Sequence, residues 1–276
     1  MQRREVVYGL HAGFDEAVGG DKRGSGQAVE VMKRGGGFTL IELLVVISII
    51  ALLMSILMPA LNRANRQAKA AMCKSNLHQW GIIFEMYTSE HDGLFPADCS
   101  IREGYVTLII PYLQNEKLRL CPTATKTMDE GGRQPFAAWQ IDEFRGSYGL
   151  NDWVLSGWPG ISDEHGSWLW KTPNVRQAAR VPLFLDCSIF TYVNPRYFNE
   201  PPAYEADVIY HVGVASGEIK RFCVNRHNEM INGAFLDFSV RRVGLKELWR
   251  LPWHRNWPMD ASPPVWPAWM EHMKDY

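Results

Sequence analysis

The longest apolar run in the chain extends from Phe38 to Ala60 and is interrupted only by Thr39, Glu42, Ser48, Ser55 and Pro59. Its 23 residues predict a helix of roughly 34 Å at about 1.5 Å of rise per residue, enough to cross a hydrocarbon core of about 30 Å. Beyond Pro59 the pattern changes but keeps a helical period. Leu61, Ala64, Ala68, Ala71 or Met72 and Ser75 recur at steps of three and four, with Arg63, Arg66, Lys69 and Lys74 on other faces. Leu77, Trp80, Phe84 and Tyr87 or Thr88 carry the period further. The prediction is one long helix, apolar all round in its first half. Its second half has a small-residue stripe suited to loose packing on partners, then an aromatic stripe suited to lying under a globular domain. His91-Asp92-Gly93, with Pro96 beyond, stops it.

After this helix the period shortens and chain breakers multiply: Gly104, Pro111, Pro122, Gly131-Gly132, Pro135, Gly146, Gly149, Gly157 and Pro159-Gly160. Between breakers lie short apolar runs, Val106 to Ile110, Val181 to Leu185, Val208 to Val214 and Gly233 to Val240. This predicts an α+β fold: the long amino-terminal helix, membrane-spanning in its first half, packed on a globular domain with a mainly antiparallel β-sheet. Residues 92–244 form that domain, and it is long enough for a core of its own. Residues 245–276 form a carboxy-terminal tail rich in tryptophan and proline. In it Leu245 to Leu251 predicts a short helix, and Pro252, Pro258, Pro263, Pro264 and Pro267 impose an extended course. No internal repeat is present.

Upstream of the apolar run, residues 1–32 are charged, contain several glycines and show no sustained apolar period, which predicts no packed structure. Lys33-Arg34 and Gly35 to Gly37 then lead straight into Phe38. Within the run, Glu42 is an ionisable carboxylate one turn inside an apolar helix, where a charge is costly and marks a functional position by default. The plainer alternative is a side chain that reaches headgroup water from near the helix end.

These residues together resemble the class III signal of type IV pilins and type II secretion pseudopilins. The resemblance implies cleavage after Gly37 by a membrane peptidase and methylation of the new amine on Phe38. It also implies a glutamate at the fifth mature position, which is Glu42, and a proline at the twenty-second, which is Pro59. It makes residues 1–37 a leader, 38–60 the transmembrane half of the helix and 61–91 its extramembrane half. Translation from Met32 would give the short basic leader usual in this family. An amine on Phe38 would offer Glu42 of a neighbouring subunit a partner in low dielectric, and Pro59 would loosen the helix where it leaves the membrane.

Further along, Ala71 to Leu77, Ser147-Tyr148-Gly149-Leu150-Asn151 and Arg226-His227-Asn228 followed by Gly233 to Val240 resemble segments of a pilin-like group typical of planctomycete-type bacteria. That group carries a histidine, nine residues and then Asp-Gly. Here His227 and Asp237 keep the spacing, but Phe238 stands where glycine would.

Charge excludes one class of partner. The leader is 6 basic against 5 acidic residues and the rest of the chain 23 against 25, so no basic domain is available for nucleic acid. Positive residues flank both ends of the apolar run, so orientation rests on the resemblance, which puts the globular part outside the inner membrane.

Candidate chemistry is sparse. Cys73, Cys99, Cys121, Cys187 and Cys223 are an odd number, and none are spaced Cys-x-x-Cys, which argues against a zinc ribbon. The family-like segments make Cys73 with Cys121 the first disulfide to expect, against the alternative that the cysteines are small buried side chains. No cofactor is expected. Calcium, which the resemblance allows, would have Asp237, Asp207 and Glu205 available but no spacing that builds a cage. As metal ligands His227 and Asp237 are weak, being an ordinary hydrogen-bonded turn pair. No nucleophile elbow, phosphate loop or paired carboxylates appear, so the chain is not expected to be an enzyme. Of 11 tryptophans, Trp249, Trp253, Trp257, Trp266 and Trp269 crowd the tail. They form either a stacking platform for a glycan or partner, or a cover of indole rings over the core.

The expected function is a pilin-like subunit, matured by a prepilin peptidase and joined to other pilin-like subunits and an inner-membrane assembly platform. The filament is a type II secretion pseudopilus or a type IV pilus. The alternative is a membrane-tethered extracytoplasmic module that binds carbohydrate or protein and enters no filament.

Overall fold

The computed structural model describes residues 38–97, 108–113, 115–141, 144–157, 161–188, 200–205 and 219–276. The chain forms two units, Met1–Leu53 and Met54–Tyr276. Helix α1, Leu40–Glu90, runs unbroken through Pro59. Every apolar side chain from Phe38 to Leu61 is exposed, and this stretch is long and apolar enough to cross a membrane.

In its carboxy-terminal half α1 buries one stripe, made by Cys73, Leu77, Trp80, Gly81, Ile83, Phe84, Tyr87 and Thr88. The predicted aromatic stripe is therefore the core face of the helix, and the small-residue stripe at Leu61, Ala64 and Ala68 is exposed. Past Glu90 the helix stops as expected. Asp92 and Gly93 turn left-handed (φ 53° and 75°), and the Gly93 amide donates back to the Thr88 carbonyl at 2.8 Å, a closure of the kind that ends many helices.

Two small sheets follow. Strands β1 (Lys126–Thr127), β2 (Ala137–Ile141) and β3 (Phe144–Gly146) lie in that order, β1 parallel and β3 antiparallel to β2. Strands β4 (Tyr148–Leu150), β5 (Pro182–Asp186), β6 (Met230–Phe235) and β7 (Val240–Gly244) form a wholly antiparallel sheet in sequence order. Only Ser147 separates β3 from β4, so the chain changes sheets at a single residue. Gly146 just before it allows a close approach, since a Cβ there would lie 2.4 Å from Cζ2 of Trp139.

The α1 stripe packs on the second sheet. Trp80 and Phe84 meet Phe184 of β5 with ring centroids at 4.6 and 6.3 Å, and β5 is buried along its whole length. This apolar run, Val181 to Leu185, forms the strand that its composition predicts. Two others differ. Leu108 and Ile109 are helical and lead into a 3-10 turn, Ile110–Tyr112, where Pro111 could not donate to a ladder. Gly233 to Val240 is not one strand but the β6–β7 hairpin. Asp237 Oδ1 accepts from the Ser239 amide at 3.1 Å and from its hydroxyl, and the Phe235 amide donates to the Ser239 carbonyl at 3.0 Å. Phe238 takes φ 60° in this turn, so the bend that glycine would ease is made without it. The facing helix leaves room, because a Cβ on Gly81 would lie 3.2 Å from the Phe238 carbonyl oxygen. The run Val208 to Val214 lies outside the described residues.

The tail belongs to the core. Lys246–Arg250 is a 3-10 helix, and Leu248, Trp249, Leu251, Trp253, Trp257, Met270 and Met273 are buried. Trp253 stacks on Phe222 at 4.8 Å, and its carbonyl accepts from Nδ2 of Asn151 at 2.8 Å and Nε1 of Trp170 at 3.1 Å.

Candidate functional site

At the start of α1, Thr39 and Glu42 hold each other. The Thr39 amide and hydroxyl donate to Glu42 Oε2 at 2.8 and 2.7 Å, and the Glu42 amide donates to Thr39 Oγ1 at 3.3 Å. This is a capping box, which satisfies helix amides that have no partner within the helix. Glu42 thus has a local role that its lone charge did not reveal. A Ser or Thr three residues before a Glu was the signal that could have shown it.

The second arrangement is a buried polar cluster beneath α1. It gathers Cys73 from the helix, Cys121 from the loop before β1, Asp186 from the end of β5 and His227 from the loop before β6. Cys73, Cys121 and Asp186 have no solvent exposure and His227 has 6%. The Cys73 thiol lies 3.6 Å from both oxygens of Asp186. Nε2 of His227 lies 3.3 Å from Asp186 Oδ2 and 3.4 Å from Cys121 Sγ. One donor atom from each of the four residues lies within 4.8 Å of all the others.

The surroundings fix these groups. The Asn232 amide donates to Asp186 Oδ2 at 2.9 Å, Tyr148 Oη donates to Cys73 Sγ at 3.4 Å, and Thr123 Oγ1 lies 3.0 Å from Cys121 Sγ. Arg226, fully buried, sets Nη1 3.5 Å from Asp186 Oδ1 and spends its other hydrogens on the carbonyls of Pro135, Ala137, Ser147 and Cys187. Burial alone would raise the Asp186 carboxyl, but the hydrogen bond and charge of His227 and the charge of Arg226 hold it below its usual range. Burial likewise opposes a charge on His227, yet Asp186 and Cys121 lift it to about 9. Cys121 is drawn down to about 6, burial being outweighed by hydrogen bonds with Cys73 and His227 and by the Arg226 charge. Cys73 goes the other way, pushed well up by burial, by its bond to Cys121 and by the Asp186 charge.

A cysteine, a histidine and an aspartate suggest a relay for nucleophilic catalysis, but the geometry is wrong for one. A relay uses the two imidazole nitrogens separately, one toward the nucleophile and the other toward the carboxylate. Here Cys121 and Asp186 both face Nε2, and the sulfur is fully buried.

Comparison with known proteins bears on the amino terminus. Residues 32–58 match the family model of the prokaryotic N-terminal methylation motif. This motif and the long apolar helix that follows it are consistent with the type IV pilin-like family. No curated protein and no solved structure matches the chain.

The motif and the exposed apolar helix together fit a membrane-anchored protein. The residues expected to serve processing and assembly stand apart from the buried cluster in sequence. Gly37 lies outside the described residues, Phe38 is 73% exposed, and Pro59 sits within α1. Cys73 and Cys121 converge, but as free thiols rather than as a disulfide. Cys187 and Cys223 are also free and buried, and Cys99 lies outside the described residues. His227 is not with Asp237. It pairs with Asp186, while Asp237 is exposed in the β6–β7 turn and engaged by Ser239. Of the oxygens available to calcium, Glu205 accepts from Asn225 at 2.8 Å, and Asp207 lies outside the described residues. Sequence reading missed Asp186 altogether. Its only signal is a carboxylate closing the apolar run Val181 to Leu185, which reads as an ordinary strand end.

Proposed function

We propose that the chain is a pilin-like subunit that works mechanically, as part of a filament, and not as an enzyme. A prepilin peptidase cuts after Gly37 and the new amine on Phe38 is methylated. The segment 38–60 then holds the subunit in the inner membrane, with the globular part outside, until an assembly platform joins it to other pilin-like subunits. The filament is a type II secretion pseudopilus or a type IV pilus. The observation that carries this reading is the methylation motif at residues 32–58. The wholly exposed apolar surface around Glu42 supports it, because such a surface is covered only by lipid or by neighbouring helices. The tethered binding module is less well supported, since of the five late tryptophans Trp249, Trp253 and Trp257 are buried in the core and only Trp266 and Trp269 are half-buried.

The capping box supplies a sharp test. Glu42→Gln keeps an acceptor for the Thr39 amide and removes the charge, whereas Glu42→Ala removes both. Pairing with the Phe38 amine of a neighbour requires the charge, so both variants should be processed normally and both should fail to enter filaments. Normal assembly of Glu42→Gln, with a defect only in Glu42→Ala, would reduce Glu42 to a helix cap. Mass analysis of chain from native membranes should find a methylated amino terminus at Phe38; a terminus at Met1 or Met32 would overturn the processing itself.

A further inference from the structure

We propose that Cys73, Cys121, Asp186 and His227 form a structural zinc site. Three separations among these donors match the edges of a tetrahedron closed around one ion, and all four donors lie within 4.8 Å of one another. With bonds of about 2.3 Å to sulfur and about 2.0–2.1 Å to nitrogen and oxygen, tetrahedral edges come to about 3.3 Å for nitrogen to oxygen and about 3.5 Å for sulfur to either. The observed edges are 3.3 Å for His227 Nε2 to Asp186 Oδ2, 3.4 Å for Cys121 Sγ to His227 Nε2 and 3.6 Å for Cys73 Sγ to Asp186. Nε2 faces both a sulfur and a carboxylate, as a ligand turned toward a common centre must.

Donor chemistry selects the metal. Two sulfurs and an imidazole suit zinc and disfavour calcium or magnesium, which take oxygen. Four protein ligands, buried together, leave no open position for water or substrate, which is the mark of a structural rather than a catalytic zinc. Charge closes as well. Two thiolates and one carboxylate carry three negative charges, Zn²⁺ supplies two positive charges, and the buried Arg226 beside Asp186 supplies the third. The site is then neutral, as a buried ion requires. As the ion enters, each thiol proton still present, and any proton on Nε2, leaves to solvent, so bonds from the metal to two sulfurs and one nitrogen replace whatever S–H and N–H bonds remain, without redox change. An outer layer is in place too: Tyr148 on Cys73, Thr123 beside Cys121, and the Asn232 amide and Arg226 on Asp186. Such contacts orient metal ligands.

The ligands come from α1, the loop before β1, the end of β5 and the loop before β6, so one ion would join the helix to the end of β5 and to both loops. This inference does not depend on filament assembly. It does compete with a Cys73–Cys121 disulfide, because the two thiols can serve only one of these purposes.

The test is the full chain purified in detergent without chelator and analysed for metal. About one zinc per chain is expected, and X-ray absorption at the zinc edge should show two sulfurs at about 2.3 Å and two nitrogen or oxygen neighbours at about 2.0–2.1 Å. Cobalt exchanged into the site should give the strong visible bands of a tetrahedral ion with a sulfur charge-transfer band. Cys73→Ser should lower zinc content at least tenfold, and Cys223→Ala, a buried thiol outside the cluster, should leave it unchanged. The absorption measurement on unaltered protein decides the matter even where Cys73→Ser fails to fold. Zinc far below one per chain, zinc without sulfur neighbours, or an intact mass two hydrogens lower with a Cys73–Cys121 linked peptide would each overturn the proposal.

Discussion

Replacing Arg226 with methionine tests how much of the domain depends on one buried guanidinium. The side chain has no exposure and lies 3.5 Å from Asp186. Its Nε donates to the Pro135 carbonyl at 2.8 Å, Nη2 to those of Ala137 and Cys187 at 3.0 Å each, and Nη1 to that of Ser147. Methionine fills much of the same volume but donates nothing. Each buried acceptor left without a partner costs about 1–3 kcal/mol, and losing one member of a buried ion pair costs about 3–5 kcal/mol. Some of this is recovered. Ser147 O keeps the Cys187 amide, and Asp186 keeps His227 and Asn232. With the ion-pair loss offset in this way, what remains is the carbonyls of Pro135, Ala137 and Cys187 that lose Arg226, at about 1–1.5 kcal/mol each. A net loss of about 4 kcal/mol follows, a large share of the roughly 5–15 kcal/mol that holds a typical domain together. At about 2–4 °C per kcal/mol for a domain of this size, Tm should fall by roughly 8–16 °C. Tryptophan fluorescence of the full chain in detergent is a suitable readout, since none of the 11 tryptophans lies in the apolar run Phe38 to Ala60. Arg226→Lys should recover the contact with Asp186 but not the fork to four carbonyls, and so fall between the two. A Tm within about 3 °C of wild type for Arg226→Met, or an Arg226→Lys protein as stable as wild type, would refute this account.

Three further outcomes can be checked by the same melt. Gly146→Ala puts a Cβ 2.4 Å from the Trp139 ring, which is buried with its Nε1 donating to the Tyr148 carbonyl at 2.9 Å; overpacking should cost about 1–3 kcal/mol, and an unchanged Tm would mean that the ring moves freely. Asn151→Leu removes the bonds from Nδ2 to the carbonyls of Pro182 and Trp253 and leaves the Trp153 amide without its acceptor; the cost should be about 2–4 kcal/mol, with raised protease sensitivity in the tail, and an unaltered tail would show that packing alone holds it. Phe84→Ala empties a site with no exposure between Phe95 and Phe184 and should cost about 3–5 kcal/mol; a loss under about 1 kcal/mol would mean that α1 is not anchored by this stripe.

Much of the fold was legible because it is written in consecutive residues. The apolar run, the aromatic stripe at Leu77, Trp80 and Phe84, and the breakers after Glu90 each report a local preference, and α1 follows them. Val181 to Leu185 was legible for the same reason. Gly233 to Val240 was not, because Phe238 in a left-handed turn gives no local sign that the run doubles back. The turn is tolerated because Gly81, far away in sequence, leaves space beside it.

The amino-terminal segment and the buried cluster divide along the same line. Processing depends on a short string read in order by an enzyme, so residues 32–58 declare themselves without a fold. A buried set of donors drawn from positions 73, 121, 186 and 227 has no spacing to recognise. Cys73 and Cys121 were singled out as a pair, His227 was placed with Asp237, and Asp186 was overlooked. Only the packing of α1 on β5 brings the four donors together, because a buried charge is stable only where the whole fold supplies its partners. The sequence by itself determined the membrane segment, its signal and the helix that continues from it. The tertiary structure decided which polar groups share the interior, since that depends on distance in space and not along the chain.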